Sequence, residues 1–221
     1  MKRSLLLLPL LLLLLTACSS DDYETGDSAY SYLKAELVEA YTDSYGNIVR
    51  VGFDDDGQMM LSQAVATNWA STADSVYRAL LYFNQYPTPP MNQQLVPVSI
   101  GRVPVLIPKE AADFEGGMKT DPLGFQSAWL GTNKKYLNLG LILKSGVPDD
   151  KDAVQGVGVE KVSETSQMTV LRLYHDQGGV PEYYSSRVFV SIPVKSALTS
   201  DSVTILINTY KGVVERKYKI K

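Results

Sequence analysis

Cysteine and histidine occur once each in this 221-residue chain, as Cys18 and His175, and that scarcity removes most of the chemistry a small protein can carry. A disulfide needs two cysteines, and a metal site with three or more His or Cys ligands is excluded. A transmembrane helix needs roughly 20 consecutive apolar residues, yet the longest apolar run, Leu5 to Leu15, is about half that and is broken by Pro9. No phosphate-binding Gly-Lys-Ser/Thr loop occurs. Gly156-Val157-Gly158-Val159 has strand-like neighbours and no following helix, so it lacks the helix N-terminus that makes glycine loops cradle phosphate. No stretch of ten residues beyond the leader keeps a 3.6-residue apolar period, so helix is nearly absent.

What is present begins with an address. Met1-Lys2-Arg3-Ser4 is a short basic segment before the leucine run, the layout of a secretory signal. Leu15-Thr16-Ala17-Cys18 looks like a lipobox: an apolar residue, two small residues, and the cysteine that becomes the acylated N-terminus. Residues 1–17 are therefore read as a lipoprotein signal peptide. Each buried acyl methylene contributes about 0.8 kcal/mol, so two or three chains on Cys18 would hold the protein to a membrane. Residues 18–31, with Asp21, Asp22, Glu24 and Asp27, form an acidic flexible tether. They resemble the surface-export signal of Bacteroidota lipoproteins, which implies an outer-membrane, cell-surface location. The net charge of −3 becomes about −5 once Lys2 and Arg3 leave with the signal. An acidic surface repels phosphate and argues against nucleic acid as a partner.

The remaining chain has the period of strands. Leu33, Ala35 and Leu37 alternate with Lys34 and Glu36, as do Val49, Val51 and Phe53, then Ala79, Leu81 and Phe83. Five strands are expected before Pro108: Leu33–Tyr41, Ile48–Asp54, Gln58–Ser62, Val76–Asn84 and Leu95–Ile107. Asp43-Ser44-Tyr45-Gly46 and Asp54-Asp55-Asp56-Gly57 supply the turns. Five strands with a long final excursion suit a small barrel over residues 32–108. The stretch from Pro108 to Pro122 reads as the domain boundary. Residues 109–221 carry longer strands, including the strict alternation of Leu137, Leu139, Leu141 and Leu143, and suit a β-sandwich. The fold expected is all-β, in two domains.

Candidate chemistry is thin. His175 could serve a triad only beside a nucleophile that spacing does not reveal, and a His-Asp step at a strand end is more often a capped turn. Asp54-Asp55-Asp56-Gly57 and Asp149-Asp150-Lys151-Asp152 offer oxygens to calcium, but neither continues as a twelve-residue calcium loop; solvated turns account for both. No cofactor and no metal are called for, and no catalytic residue is assigned, so the chain reads as a non-enzyme. Aromatics are the open question. Trp69, Trp129, Tyr183 and Tyr184 fall near loops or on mixed strand faces, where they could stack on sugar or pack a partner, although aromatics also fill ordinary sheet faces. Asp27-Ser28-Ala29, Asp74-Ser75-Val76 and Asp201-Ser202-Val203 resemble the short sequence at which Bacteroidota O-glycosylate exported proteins; Ser28, in the tether, is the candidate acceptor.

Lys135-Tyr136-Leu137-Asn138-Leu139-Gly140-Leu141 and Leu171-Arg172-Leu173-Tyr174-His175-Asp176-Gln177, with Pro181-Glu182-Tyr183-Tyr184 beyond them, resemble the NigD-like lipoproteins of Bacteroidota. The resemblance covers essentially the whole mature chain. It implies a five-stranded OB-like barrel followed by a C-terminal β-sandwich, and, from a bacteriocin gene cluster behind the name, a role in immunity or competition through protein recognition. It supplies no catalytic residue. The alternative left open is a glycan ligand held by exposed aromatics.

Overall fold

The structure is a computed structural model, and it describes residues 32–84 and 94–221. Cys18, the tether and Ser28 lie outside the described residues. Twelve strands are described: β1 Leu33–Thr42, β2 Ile48–Phe53, β3 Gln58–Val65, β4 Val76–Asn84, β5 Pro97–Arg102, β6 Gly124–Leu130, β7 Leu137–Ser145, β8 Gly156–Glu164, β9 Met168–Asp176, β10 Tyr184–Ile192, β11 Ser202–Thr209 and β12 Gly212–Lys219. Helix is confined to a single 3-10 turn at Ala111–Asp113 and to α1, Val194–Ala197, among the described residues.

β1 to β5 form one antiparallel sheet in the order β3-β2-β1-β4-β5. It curls so that the segment leading into β5 reaches β3, where Leu95 N–H donates to the Met60 carbonyl and Ser62 N–H to the Leu95 carbonyl, each at 2.9 Å. The concave side encloses Val38, Ala40, Ile48, Val51, Leu61, Ala79, Leu81 and Phe83, the period-two set that puts every second side chain on one face. The alternation of Ala79, Leu81 and Phe83 lands in this core as expected. That of Leu33 and Ala35 does not: both are exposed, and β1 buries Val38 and Ala40 instead. The reason is parity: the β1–β4 register is unbroken, so Leu33 and Ala35 share the face of Glu39 and Tyr41, opposite to Val38 and Ala40. β1 also outruns β2, pairing with β4 from Leu33 but with β2 only from Val38, so its first half projects past the end of β2. The turn into β3 also differs in detail, because the left-handed residue is Asp56 at φ 68°, not the glycine after it.

Two further sheets, β10-β7-β6 and β12-β11-β9-β8, share one core. Leu137, Leu139 and Leu141 face Leu171, Leu173, Ile205 and Ile207 across it. β11 runs parallel to β9 and antiparallel to β12. Each fully buried leucine contributes about 1.5–3 kcal/mol, so β7 alone anchors this core through three residues with no exposure. The chain leaves the first sheet after Arg102 and joins the second core before Pro108: Leu106 N–H donates to the Ser191 carbonyl, and the Leu106 side chain is buried in that core. From Val103 to Leu123 it runs over the second body through isolated bridges, such as Lys109 to Glu160, without forming a strand.

Candidate binding cleft

In β7 and β10 the residues between the core positions point the other way. Asn138 and Gly140 alternate with the β7 leucines, and Arg187, Phe189 and Ser191 alternate with the buried β10 residues Val190 and Ile192. Phe189 sits opposite Gly140 and Ser191 opposite Asn138, so these side chains share the outer face of the three-stranded sheet. That face meets the curled sheet.

One half of the face is a polar seam. Arg78, on β4, has a fully buried side chain. Its Nη2 donates to Asp54 Oδ2 at 2.7 Å and to Asn138 Oδ1 at 3.1 Å, and its Nε donates to Ser191 Oγ at 3.1 Å. Asn138 Nδ2 donates in turn to Asp54 Oδ2 at 3.0 Å, and Ser191 Oγ to Asn138 Oδ1 at 2.7 Å. The guanidinium lies over the Tyr136 ring, 4.4 Å from its centroid. Such a network offsets the cost of burying charge only as far as its members are paired; the β2–β3 turn on one side and β7 and β10 on the other supply the partners of Nη2 and Nε, while Nη1 is buried without a hydrogen-bond partner. Beside it, Glu39 accepts from Tyr41, Tyr136 and Lys135. Burial pushes the Glu39 carboxyl up, but these hydrogen bonds and the Lys135 charge outweigh it and hold the group below its ordinary value. Burial and the Glu39 charge push the Tyr136 phenol up to about 12.

The other half of the face is open. Here the projecting half of β1, the β2–β3 turn and the ends of β6 and β10 enclose a cleft of about 850 Å³, within the usual range for ligand sites. Phe53, Met59 and Phe83 line it from the curled sheet, and Trp129, Phe189 and Arg187 from the second body. Trp129 meets Phe189 edge to face with centroids 6.2 Å apart. Gly140 lets this wall close up, since a Cβ there would stand 2.6 Å from Ser127 Oγ and 3.4 Å from Phe189. Lys34 and Glu36 place both signs of charge on the rim.

Of the four aromatic candidates, only Trp129 borders the cleft. Trp69 packs edge-on against Tyr77 at 6.0 Å, beside the first core. Tyr183 and Tyr184 are 76% and 69% exposed at the far end of β10. His175 is buried, with 1% exposure. Its Nδ1 donates to the Asp121 carbonyl at 2.9 Å, because a carbonyl only accepts, and Nε2 therefore accepts from Gln155 Nε2 at 3.0 Å. Both ring nitrogens are thus committed to the scaffold. Asp55 and Asp150 turn their carboxylates onto the N–H groups of Gly57 and Asp152, and the described residues contain no group of three His, Cys, Asp or Glu suited to a metal.

Sequence reasoning did not single out Arg78 or Ser191, read Asp54 only as part of a solvated turn, and met Asn138 only within the segment that carries the resemblance. The available signal was parity: Arg78 and Asn138 sit among apolar residues but on the register opposite to the core.

No protein-family model matches the chain, and no curated protein matches it. Solved structures do. A NigD-like immunity protein from Bacteroides caccae superposes with TM-score 0.65 at 24% identity, over 85% of this chain and 97% of its own. A protein described as toxin-related, from Parabacteroides distasonis, gives 0.64 at 16% identity over 85% and 92%. A protein described as a lipoprotein, from Bacteroides fragilis, gives 0.55 at 11% identity over 86% and 98%. The likeness to the NigD-like protein thus holds for the fold along nearly its whole length, and the Lys135–Leu141 segment that carries the sequence resemblance supplies Lys135, Tyr136 and Asn138 to the seam.

Proposed function

We propose that this protein is a non-enzymatic, NigD-like lipoprotein, anchored through Cys18 in the outer membrane and facing outward, which recognises a protein ligand in bacteriocin immunity or competition. In this reading the curled sheet is an OB-type barrel, the second body a β-sandwich, and the cleft between them the recognition site. The cleft carries the reading: it is large, has an aromatic wall and a charged rim, and its lining holds no histidine, while His175 is spent on the scaffold. A fold alone does not fix function, so the immunity role rests on the resemblance and on the likeness to the Bacteroides caccae structure.

Deleting the gene and challenging the strain with bacteriocin-containing supernatants of competing Bacteroidota tests it. Greater killing, reversed by the wild-type gene but not by a Cys18→Ala form that is released from the envelope, is the expected result. Equal killing of deleted and parental strains sinks the immunity role. The aromatic wall also suits a glycan, through Trp129 with Tyr82 on the opposite side of the cleft. A glycan array with the purified protein separates this reading, since sugar binding lost in Trp129→Ala would replace the protein ligand.

A further inference from the structure

Four consecutive residues of β1, Lys34, Ala35, Glu36 and Leu37, line the cleft. Successive side chains of a strand point to opposite faces, so a cavity touching all four meets the strand at its edge and not on one face. That edge is the one β2 leaves uncovered. The β1–β2 ladder stops at Val38 opposite Phe53, whereas the β1–β4 ladder continues to Leu33 opposite Asn84. Among the described residues, Leu33–Leu37 therefore have a strand neighbour on one side only, and Leu33 to Glu36 are exposed. A row of main-chain donors and acceptors without ladder partners is a template for another strand.

We infer that this cleft takes an extended polypeptide segment of a partner protein, which adds as a strand beside Leu33–Leu37 and sets alternate side chains against Trp129 and Phe189. The inference deepens the protein-recognition reading and rests on it. Polypeptide is the occupant whose chemistry fits, because its N–H and C=O groups recur at the strand spacing and complete the ladder, while a glycan has no such periodic main chain. Five residues of edge correspond to a bound segment about 17 Å long. Gly57, Gln58 and Met59 at the start of β3 close one side of the cleft, so the added strand would lie between the curled sheet and the second body. Lys34 and Glu36 on the edge, with Arg187 on the opposite wall, give a segment carrying both signs of charge an advantage over a uniformly apolar one.

The test uses the full-length lipidated protein in detergent and a random dodecapeptide display library as probe. A selected peptide should slow amide exchange in residues 33–37. Its affinity should fall at least tenfold when alternate peptide amides are N-methylated, and at least tenfold with Trp129→Ala. The N-methyl arm does not depend on any variant folding. Selected peptides that protect another surface, N-methylated peptides that bind undiminished, or a library that yields no binder would each overturn the inference. So would protection of residues 33–37 before any peptide is added, which would mean that the protein's own chain already fills the edge. Failure here with a toxin-sensitive deletion strain leaves protein recognition standing by another surface; success here with equal killing removes the immunity role and keeps the edge.

Discussion

Arg78 Nη2 stands 2.7 Å from Asp54 Oδ2, and Asn138 from the other body is hydrogen-bonded to both. The ion pair is therefore a docking post as well as a charge pair: it fixes the angle at which the second sheet meets the first and so the width of the cleft next to it. Removing one member of a buried pair costs about 3–5 kcal/mol, because the other is left desolvated. Arg78→Ala should lose stability of that order in urea denaturation. Lys135→Ala, which breaks a pair with Glu39 in which the lysine side chain is 39% exposed, should lose no more than about 1 kcal/mol. Equal losses would mean that the seam is no stronger than a surface contact.

His175 gives a second check, this time on the absence of chemistry. His175→Leu keeps the volume apolar but strands the Asp121 carbonyl, whereas the Gln155 amide keeps the Lys144 carbonyl and Gln177 Oε1 as acceptors. Each buried group left unpaired costs about 1–3 kcal/mol. A fall of roughly 1–3 kcal/mol is expected, with peptide binding at the cleft unchanged once the protein is folded. Loss of binding at undiminished stability would instead make His175 part of a site.

The strands were legible because their signal is local. β4 spans Val76–Asn84 as its composition indicated, and the β7 leucines alternate into the core. The seam was not legible, because Arg78 finds its partners 24, 60 and 113 residues away in the chain, and no window of sequence holds such a group together. The cleft was hidden for a related reason. Trp129 was singled out as an aromatic on a mixed strand face, but its value depends on a β1 edge that exists only because β2 is four residues shorter than β1. Tyr183 and Tyr184 carried the same signal in sequence and stand exposed, away from the cleft.

Glycine positions separate strain from crowding. Gly178 has φ +58°, and a Cβ there would stand 1.9 Å from the Val154 carbonyl oxygen. Gly116 has φ +75° with nothing within 4 Å. Gly116→Ala should cost about 1–2 kcal/mol, the ordinary penalty of a left-handed alanine. Gly178→Ala carries the same penalty and must also move the backbone of the β7–β8 connection, so its loss should exceed that of Gly116→Ala by at least about 1 kcal/mol. Thermal denaturation of the two variants side by side measures the difference, and similar losses would show that this connection yields freely.

Acid should reveal the clamp between the end of β8 and the segment after α1. Glu164 accepts from the Thr199 N–H at 2.8 Å, from the Thr199 hydroxyl at 3.0 Å and from Lys161 Nζ at 3.2 Å. The Thr199 N–H leads in holding the Glu164 carboxyl down to about 2; burial opposes it, and Lys161 and the Thr199 hydroxyl add to the lowering. A carboxyl whose folded value lies below its unfolded value stabilises the fold only while ionised. Its contribution is full above the ordinary value of 4.5 and disappears as the pH falls from there toward 2. Glu164→Gln keeps the shape and removes the charge. Wild type should therefore be the more stable at pH 7, and the difference between the two urea midpoints should shrink steadily between pH 4.5 and pH 2. Glu39, also lowered, titrates in both proteins and cancels from that difference. A gap that stays constant across this range would mean that Glu164 acts by packing and not by charge.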